Sequence, residues 1–281
     1  MTELPARATR IESGSINDVP SRGVISPGTS KVSGLRPFFG FYGGKWRDAP
    51  KHYDPPQHST VVEPFAGSAG YSVRFADRNV ILGEIDEVIY GVWHYLLHAS
   101  ADEIRSIPDL ESGQTVADLT IPQEARWLVG FWLNRGASRP RTGPSAWMRE
   151  EIRPGSFWGE RVRETIASQV DRIRHWRVYN CSYESLGAHV RGEATWFVDP
   201  PYQKQGKHYY HGADAIDFSA LGQWCRNRQG QVIVCENEGA DWLPFRTLAD
   251  VKTTRAVGRS IEVVWTGDDS QAQSDHEDGA A

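Results

Sequence analysis

An α/β fold, with an open and mainly parallel sheet covered by helices on both faces, is predicted by three stretches of the chain. Residues 59–65 form a short apolar, β-prone run. It enters the turn Ala66-Gly67-Ser68-Ala69-Gly70, and a helical pattern follows to Asp77. Strand, glycine-rich turn and helix in that order open a Rossmann-like nucleotide unit. Residues 79–84 repeat the strand pattern and end on an acid, Glu84. Thr195-Trp196-Phe197-Val198 is a third apolar run, stopped by Asp199-Pro200-Pro201-Tyr202. Proline cannot donate to a sheet ladder and disfavours the helical region for the residue before it. That run therefore reads as a buried strand whose last residues lie at the carboxyl edge of the sheet, where open α/β folds place ligands.

The composition fits this class. A chain of 281 residues suffices for one large domain or a domain with a substantial insertion. Hydrophobic residues make up 39% and charged residues 24%, as in ordinary globular proteins. Cys181, Cys225 and Cys235 lack CxxC spacing and cannot all pair, which points to a reduced, cytoplasmic setting without a thiolate zinc site. No apolar run approaches the ~20 residues that span a bilayer, so no membrane is expected as a partner. The net charge of −5 disfavours nucleic acid as a partner until its distribution along the chain is considered.

In chain order, residues 1–34 are rich in Ser, Gly and Pro without a period, and are expected to be a disordered leader. Order should begin at Leu35 and pass through Phe38-Phe39-Gly40-Phe41-Tyr42-Gly43-Gly44-Lys45, where aromatic residues alternate with glycines. The strands at 59–65 and 79–84 follow, then a helix over 87–99 with Val88, Val92, Tyr95 and Leu96 at helical spacing. Ser100-Ala101-Asp102-Glu103 is a capping-box pattern opening the next helix. Residues 100–176 then change texture. Two helices are expected, over 122–136 and 156–176, with an exposed loop over 139–145. Strand pattern resumes at 177–183 and leads to the central strand at 195–198. Residues 203–212 read as a polar, aromatic loop that closes over substrate. Its His208 and His211 lack partners at ligand spacing, so no metal is expected. Asp217 should cap a helix through Arg228, a buried strand should cover 231–237, and 246–254 with 260–266 should form a closing hairpin. Residues 268–281 form an acidic tail, expected to be disordered. The sheet domain would thus comprise 35–99 and 177–267, with 100–176 inserted.

The chemistry of these stretches is specific. Asp199 offers a carboxylate and Pro200 a stiffened carbonyl, two acceptors suited to the hydrogens of a flat amino group, while Tyr202 offers a ring face for stacking. Lys45 supplies a charge for a carboxylate, and the glycines before it let backbone approach a ligand closely. Glu84 stands after the second strand, where an acid accepts bonds from ribose hydroxyls. The turn lacks full GxGxxG spacing, so a dinucleotide is not the natural ligand. Between Arg126 and Arg177 there are eleven arginines against five acids and no lysine, interleaved with tryptophan and phenylalanine. Many would only solvate helix faces. The loop residues Arg139 and Arg141, with Asn134 and Arg135, are the better candidates for nucleic-acid contact.

Phe41-Tyr42-Gly43-Gly44-Lys45, Glu63-Pro64-Phe65-Ala66-Gly67-Ser68-Ala69-Gly70 and Asp199-Pro200-Pro201-Tyr202, in this order, resemble the motifs of the Dam-like class of DNA adenine-N6 methyltransferases. The resemblance covers about residues 35–266. Ala69 departs from it, standing where the family's Phe-x-Gly-x-Gly turn has its last glycine. It implies a Rossmann-like class I methyltransferase sheet with an inserted, mainly helical target-recognition region. It also implies S-adenosylmethionine as cofactor and double-stranded DNA as partner, with a cognate restriction nuclease as a candidate further partner. By motif, Phe41, Tyr42, Lys45, Glu63, Pro64, Phe65, Gly67, Glu84, Ile85 and Asp199 would bind the cofactor. Asp199, Pro200, Pro201 and Tyr202 would act on a base flipped out of the duplex. Methyl transfer to cytosine N4, to an RNA base or to a protein amide, and a catalytically silent DNA-binding relative, are the rival readings. The recognition sequence and the oligomeric state are not legible.

Overall fold

The computed structural model describes residues 34–133, 136–144, 157–204, 212–252 and 259–267. Residues 1–33 of the leader, the acidic tail, Asn134, Arg135, and the loop histidines His208 and His211 lie outside the described residues. A short helix α1 (Ala49–His52) precedes β1 (Thr60–Glu63) and β2 (Asn79–Gly83). There follow α2 (Glu87–His98), α3 (Ala101–Ser106), α4 (Gln123–Trp132) and α5 (Glu160–Val170). The chain continues with β3 (Arg177–Tyr179), α6 (Tyr183–Leu186), β4 (Ala194–Val198), α7 (Phe218–Arg226), β5 (Gly230–Asn237), β6 (Arg246–Lys252) and β7 (Arg259–Thr266).

The strands form one seven-stranded sheet in the order β3-β2-β1-β4-β5-β7-β6. Strands β1 to β5 pair in parallel, and β7 is antiparallel to both β5 and β6. This is a Rossmann-like open α/β sheet with a reversed last strand. β4 lies in the middle and is buried at every position, which is why Ala194-Thr195-Trp196-Phe197-Val198 reads as a continuous apolar run rather than an alternating one. Its side chains still alternate between faces. Phe197 joins Val61, Ile233 and Val264 in one apolar cluster, and Trp196 and Val198 join Val62, Val234 and Trp265 in the other. Helices cover both faces. Ile89, Val92, Trp93 and Leu96 of α2 pack in the first cluster, and Leu221 and Cys225 of α7 in the second. The helices of residues 100–176 bury Ile104, Leu128, Phe131 and Ile166 in the first cluster as well. Among the described residues no helix is long and apolar enough to cross a membrane.

Several boundaries differ from expectation for local reasons. The helix expected after the glycine turn is only a 3-10 turn, Ser72–Phe75. The Ser72 N–H is taken by the Glu63 carboxylate at 2.7 Å instead of by a helical carbonyl. The helix expected to reach residue 136 ends at Trp132. Gly130 there lets the returning chain touch the helix: Arg141 N–H donates to Gly130 O at 3.1 Å, and a Cβ on Gly130 would lie 2.6 Å from Arg141 O. The helix expected over 156–176 is α5 followed by the 3-10 turn Asp171–Ile173, and the strand expected to reach residue 183 stops at Tyr179, on the sheet edge. The expected caps are present: Ser100 Oγ accepts from Glu103 N–H, and Asp217 Oδ1 from Ala220 N–H, each at 3.0 Å. The helix that Asp217 caps stops at Arg226, two residues before the expected Arg228.

Candidate active site

A cavity of about 220 Å³ opens at the carboxyl ends of β1, β2, β3 and β4. In this strand order the chain leaves β1 toward β2 on one side and β4 toward β5 on the other, so a crevice at the β1–β4 junction is built into the topology. The ten residues expected around a cofactor all line this one cavity. Phe41, Tyr42 and Lys45 come from the N-terminal loop, Glu63, Pro64, Phe65 and Gly67 from the end of β1 and its turn, Glu84 and Ile85 from the end of β2, and Asp199 from the end of β4. Tyr42 and Ile85 are the two large apolar side chains exposed in the described residues, and both face the cavity.

The turn after β1 is shaped by close approach. Gly67 has φ +45°, and a Cβ there would lie 2.9 Å from the Phe41 ring. Ala69 adopts φ +48°, the left-handed region that costs a residue with a Cβ roughly 1–2 kcal/mol. Gly70 follows it where a Cβ would meet Trp46 N at 2.6 Å, so the glycine shifted by one position is needed for packing against the N-terminal loop. Trp93 on α2 donates from Nε1 to Gly67 O at 2.8 Å and fixes the turn from below.

Five carboxylates line the cavity, those of Glu63, Glu84, Asp86, Glu184 and Asp199, against the single lining cation Lys45. Burial pushes the Glu63 carboxyl up to about 8, the Ser72 N–H offsetting part of the shift. Burial likewise pushes Glu84 up to about 7. Glu84 is held by two backbone donors, Gly67 N–H to Oε2 and Asp86 N–H to Oε1, each at 3.0 Å.

Lys45 is not placed as expected. It is buried and its Nζ donates to Asp199 Oδ2 at 3.0 Å and to Gly43 O at 2.9 Å. Its charge is therefore spent on a carboxylate of the chain itself rather than on one from a ligand. Burial works against the ammonium, but Asp199, Tyr202, Glu262 and Cys235 together outweigh it and hold the Lys45 pKa well above the usual lysine value. Asp199 Oδ1 is buried and lies 3.0 Å from the same Nζ, so both carboxylate oxygens face the ammonium.

The rest of the tetrapeptide is divided. Pro201 lines the cavity, whereas Pro200 and Tyr202 do not. The Tyr202 ring, expected to stack on a substrate, lies beneath Lys45, whose Nζ is 5.0 Å from its centroid. Behind it, Glu236 at the end of β5 accepts from Gln203 N–H at 2.7 Å and fixes the chain where it leaves Tyr202.

The arginine-rich segment is mostly occupied with the fold. Arg163 pairs with Asp109, Arg172 with Asp77 at 2.8 Å, and Arg174 with Asp171 at 3.1 Å. Arg126 donates to Leu119 O at 2.8 Å. Arg139, expected to contact nucleic acid, has its Nη2 3.2 Å from Asp86 Oδ2, because its loop returns against the cavity mouth. Arg141 is exposed and has no ion pair among the described residues. Sequence reasoning missed Asp86, Ser138 and the segment Cys181-Ser182-Tyr183-Glu184, all of which line the cavity. Asp86 carried a legible sign, an acid able to cap the helix after β2, whereas nothing local marked Ser138. Among the described residues no group of three or more His, Cys, Asp or Glu side chains is arranged to hold a metal ion.

No protein-family model and no curated protein sequence matches the chain. Among solved structures it is similar to a conserved hypothetical protein of Streptococcus pyogenes, with 12% identity over 74% of this chain and 84% of that one, at a TM-score of 0.34. It is also similar to the rRNA methyltransferase AviRa of Streptomyces viridochromogenes in two structures, each at 12% identity. One covers 75% of this chain and 77% of that one with a TM-score of 0.36, and the other 80% and 83% with a TM-score of 0.37. Likenesses this distant carry no argument about substrate, and the fold class rests on the sheet order.

Proposed function

We propose that this chain transfers a methyl group from S-adenosylmethionine to the N6 amino group of an adenine flipped out of double-stranded DNA. One observation carries the reading. Asp199 is a buried carboxylate at the edge of the cavity that also contains Glu84, ion-paired to Lys45 from one side, with lone pairs left for an amino hydrogen.

The residues present fit the cofactor. When bound, S-adenosylmethionine supplies a methyl group activated by a sulfonium centre. A bound cation would favour the ionised forms of Glu63 and Glu84, whose carboxyls burial pushes up in this cavity. Gly67 lets the Phe41 ring pack directly on the turn, so ring and turn together form one cavity wall for a ligand. Glu84, fixed by two backbone N–H groups, retains lone pairs for ribose hydroxyls. Tyr42 and Ile85 at the mouth offer apolar cover for a purine ring.

On the acceptor side, Asp199 accepts an amino hydrogen and turns the nitrogen lone pair toward the methyl group. Its negative charge favours the positive charge that builds on nitrogen during transfer. Lys45 holds the carboxylate from behind, so little reorganisation is needed at the moment of reaction. Pro200 is buried off the cavity and Tyr202 lies beneath Lys45, so the second acceptor and the stacking face require movement of the tetrapeptide when a base enters. The remaining work is alignment, with no covalent enzyme intermediate.

The reading is tested by incubating the protein with methyl-labelled S-adenosylmethionine and duplex DNA, then identifying the product nucleoside by mass spectrometry. N6-methyladenine is expected. Label found only on cytosine, or transferred to RNA and not to DNA, contradicts the assignment.

A further inference from the structure

The loop of residues 136–144 belongs to the segment expected to read nucleic acid, yet it forms part of the cavity wall. Three backbone hydrogen bonds fix it. Tyr42 N–H donates to Ala137 O at 3.3 Å, Arg141 N–H to Gly130 O at 3.1 Å, and Val116 N–H to Thr142 O at 2.7 Å. Ser138 lines the cavity. From this frame the Arg139 guanidinium reaches across 53 residues of sequence to Asp86, with Nη1 3.5 Å from Oδ1 and Nη2 3.2 Å from Oδ2. The Asp86 side chain is 8% exposed and that of Arg139 37%.

Asp86 is in turn tied to Glu84. Its Oδ1 accepts from Val88 N–H at 2.9 Å and caps α2, and its own N–H donates to Glu84 Oε1 at 3.0 Å. Arg139, Asp86 and Glu84 thus form one continuous chain of contacts from the inserted loop to the acid facing the cavity. The Asp86 charge also raises the Glu84 carboxyl, so a guanidinium that balances Asp86 keeps Glu84 a better acceptor.

We propose that Arg139 is a positioning residue for the cofactor cavity. It holds Asp86, and through the Asp86 backbone holds Glu84, so that the inserted loop sets cofactor affinity. This rests on the reading that the cavity takes S-adenosylmethionine. It gives Arg139 a role other than base reading, and it makes substrate binding on the insertion and cofactor binding energetically coupled events.

The test is calorimetric titration of the full chain with S-adenosylmethionine, without nucleic acid, for the wild type, Arg139→Met, Asp86→Asn and the double variant. Asn is as good a helix cap as Asp, so Asp86→Asn keeps α2 intact while removing the charge. Arg139→Met should bind about fivefold more weakly, the low end of typical coupling because Arg139 is partly solvated, and Asp86→Asn, which also removes the charge that raises Glu84, should lose less. The double variant should be no weaker than the weaker single one. Arg139→Lys should recover part of the loss, and in Arg139→Met the gain in affinity as Glu84 ionises should move to higher pH. Wild-type affinity in Arg139→Met, or losses that multiply in the double variant, overturns the inference. A wild-type protein that binds no S-adenosylmethionine overturns the functional reading itself, and this inference with it.

Discussion

At the scale of single residues, the site is a problem of charge in a dry place. Lys45 was legible as a functional lysine from its Gly-Gly setting, but its partner was not, because Asp199 lies 154 residues away and only the fold brings them together. Lys45→Met should leave Asp199 buried beside an apolar group. Breaking a buried pair in this way costs about 3–5 kcal/mol, or Asp199 takes up a proton instead. The expected outcome is a lower melting temperature, with the acid limb of the transfer rate displaced to higher pH. An unshifted pH–rate profile would remove Lys45 from the role of holding Asp199 ionised. Glu63 and Glu84 give a second residue-level expectation. Their native pKa values, about 8 and about 7, lie above the ordinary 4.5. Across that window the folded chain holds protons that the unfolded chain has released. Stability of the ligand-free protein should therefore fall as pH rises from about 4.5 toward 8, by up to about 1.4 kcal/mol per pH unit for each group. Thermal melts across this range should show the fall, and Glu63→Gln should flatten it. A slope unchanged in Glu63→Gln contradicts the raised pKa.

At the scale of elements, the strands were the most legible part of the chain. Two-sided burial makes β4 a pure apolar run, and the double proline marks where it ends. The glycine turn was legible as a turn but not as the start of a mere 3-10 turn, because the carboxylate that captures Ser72 comes from the preceding strand. The hydrogen bond from Trp93 to Gly67 O was likewise invisible, since any tryptophan on the buried face of a helix reads as core. Gly67→Ala places a methyl group 2.9 Å from the Phe41 ring at φ +45°. It should cost roughly 1–2 kcal/mol in backbone strain and weaken cofactor binding by displacing Phe41. A calorimetric titration showing unchanged affinity would mean that the turn tolerates a side chain and does not lie against the ligand.

At the scale of the whole molecule, the uneven charge is the feature that composition hid and the fold then reinterpreted. The arginine-rich stretch suggested a binding surface, yet Arg163, Arg172 and Arg174 are paired within the fold. Sequence spacing cannot distinguish an arginine that binds phosphate from one that binds a distant aspartate. Arg141, exposed on the loop beside Arg139 and without an ion pair among the described residues, is the loop arginine proposed to meet phosphate. Affinity for duplex DNA should fall linearly with the logarithm of salt, and Arg141→Ala should reduce that slope by about one. A slope equal to wild type would take Arg141 out of the interface. The central claim, that Asp199 orients an amino group for methylation, is tested most directly by methyl transfer from labelled S-adenosylmethionine to duplex DNA by Asp199→Ala. Cofactor titration and a thermal melt are run on the same preparation. The expected result is a folded protein that still binds cofactor and transfers no methyl group, and near-normal transfer by that folded variant would contradict the claim.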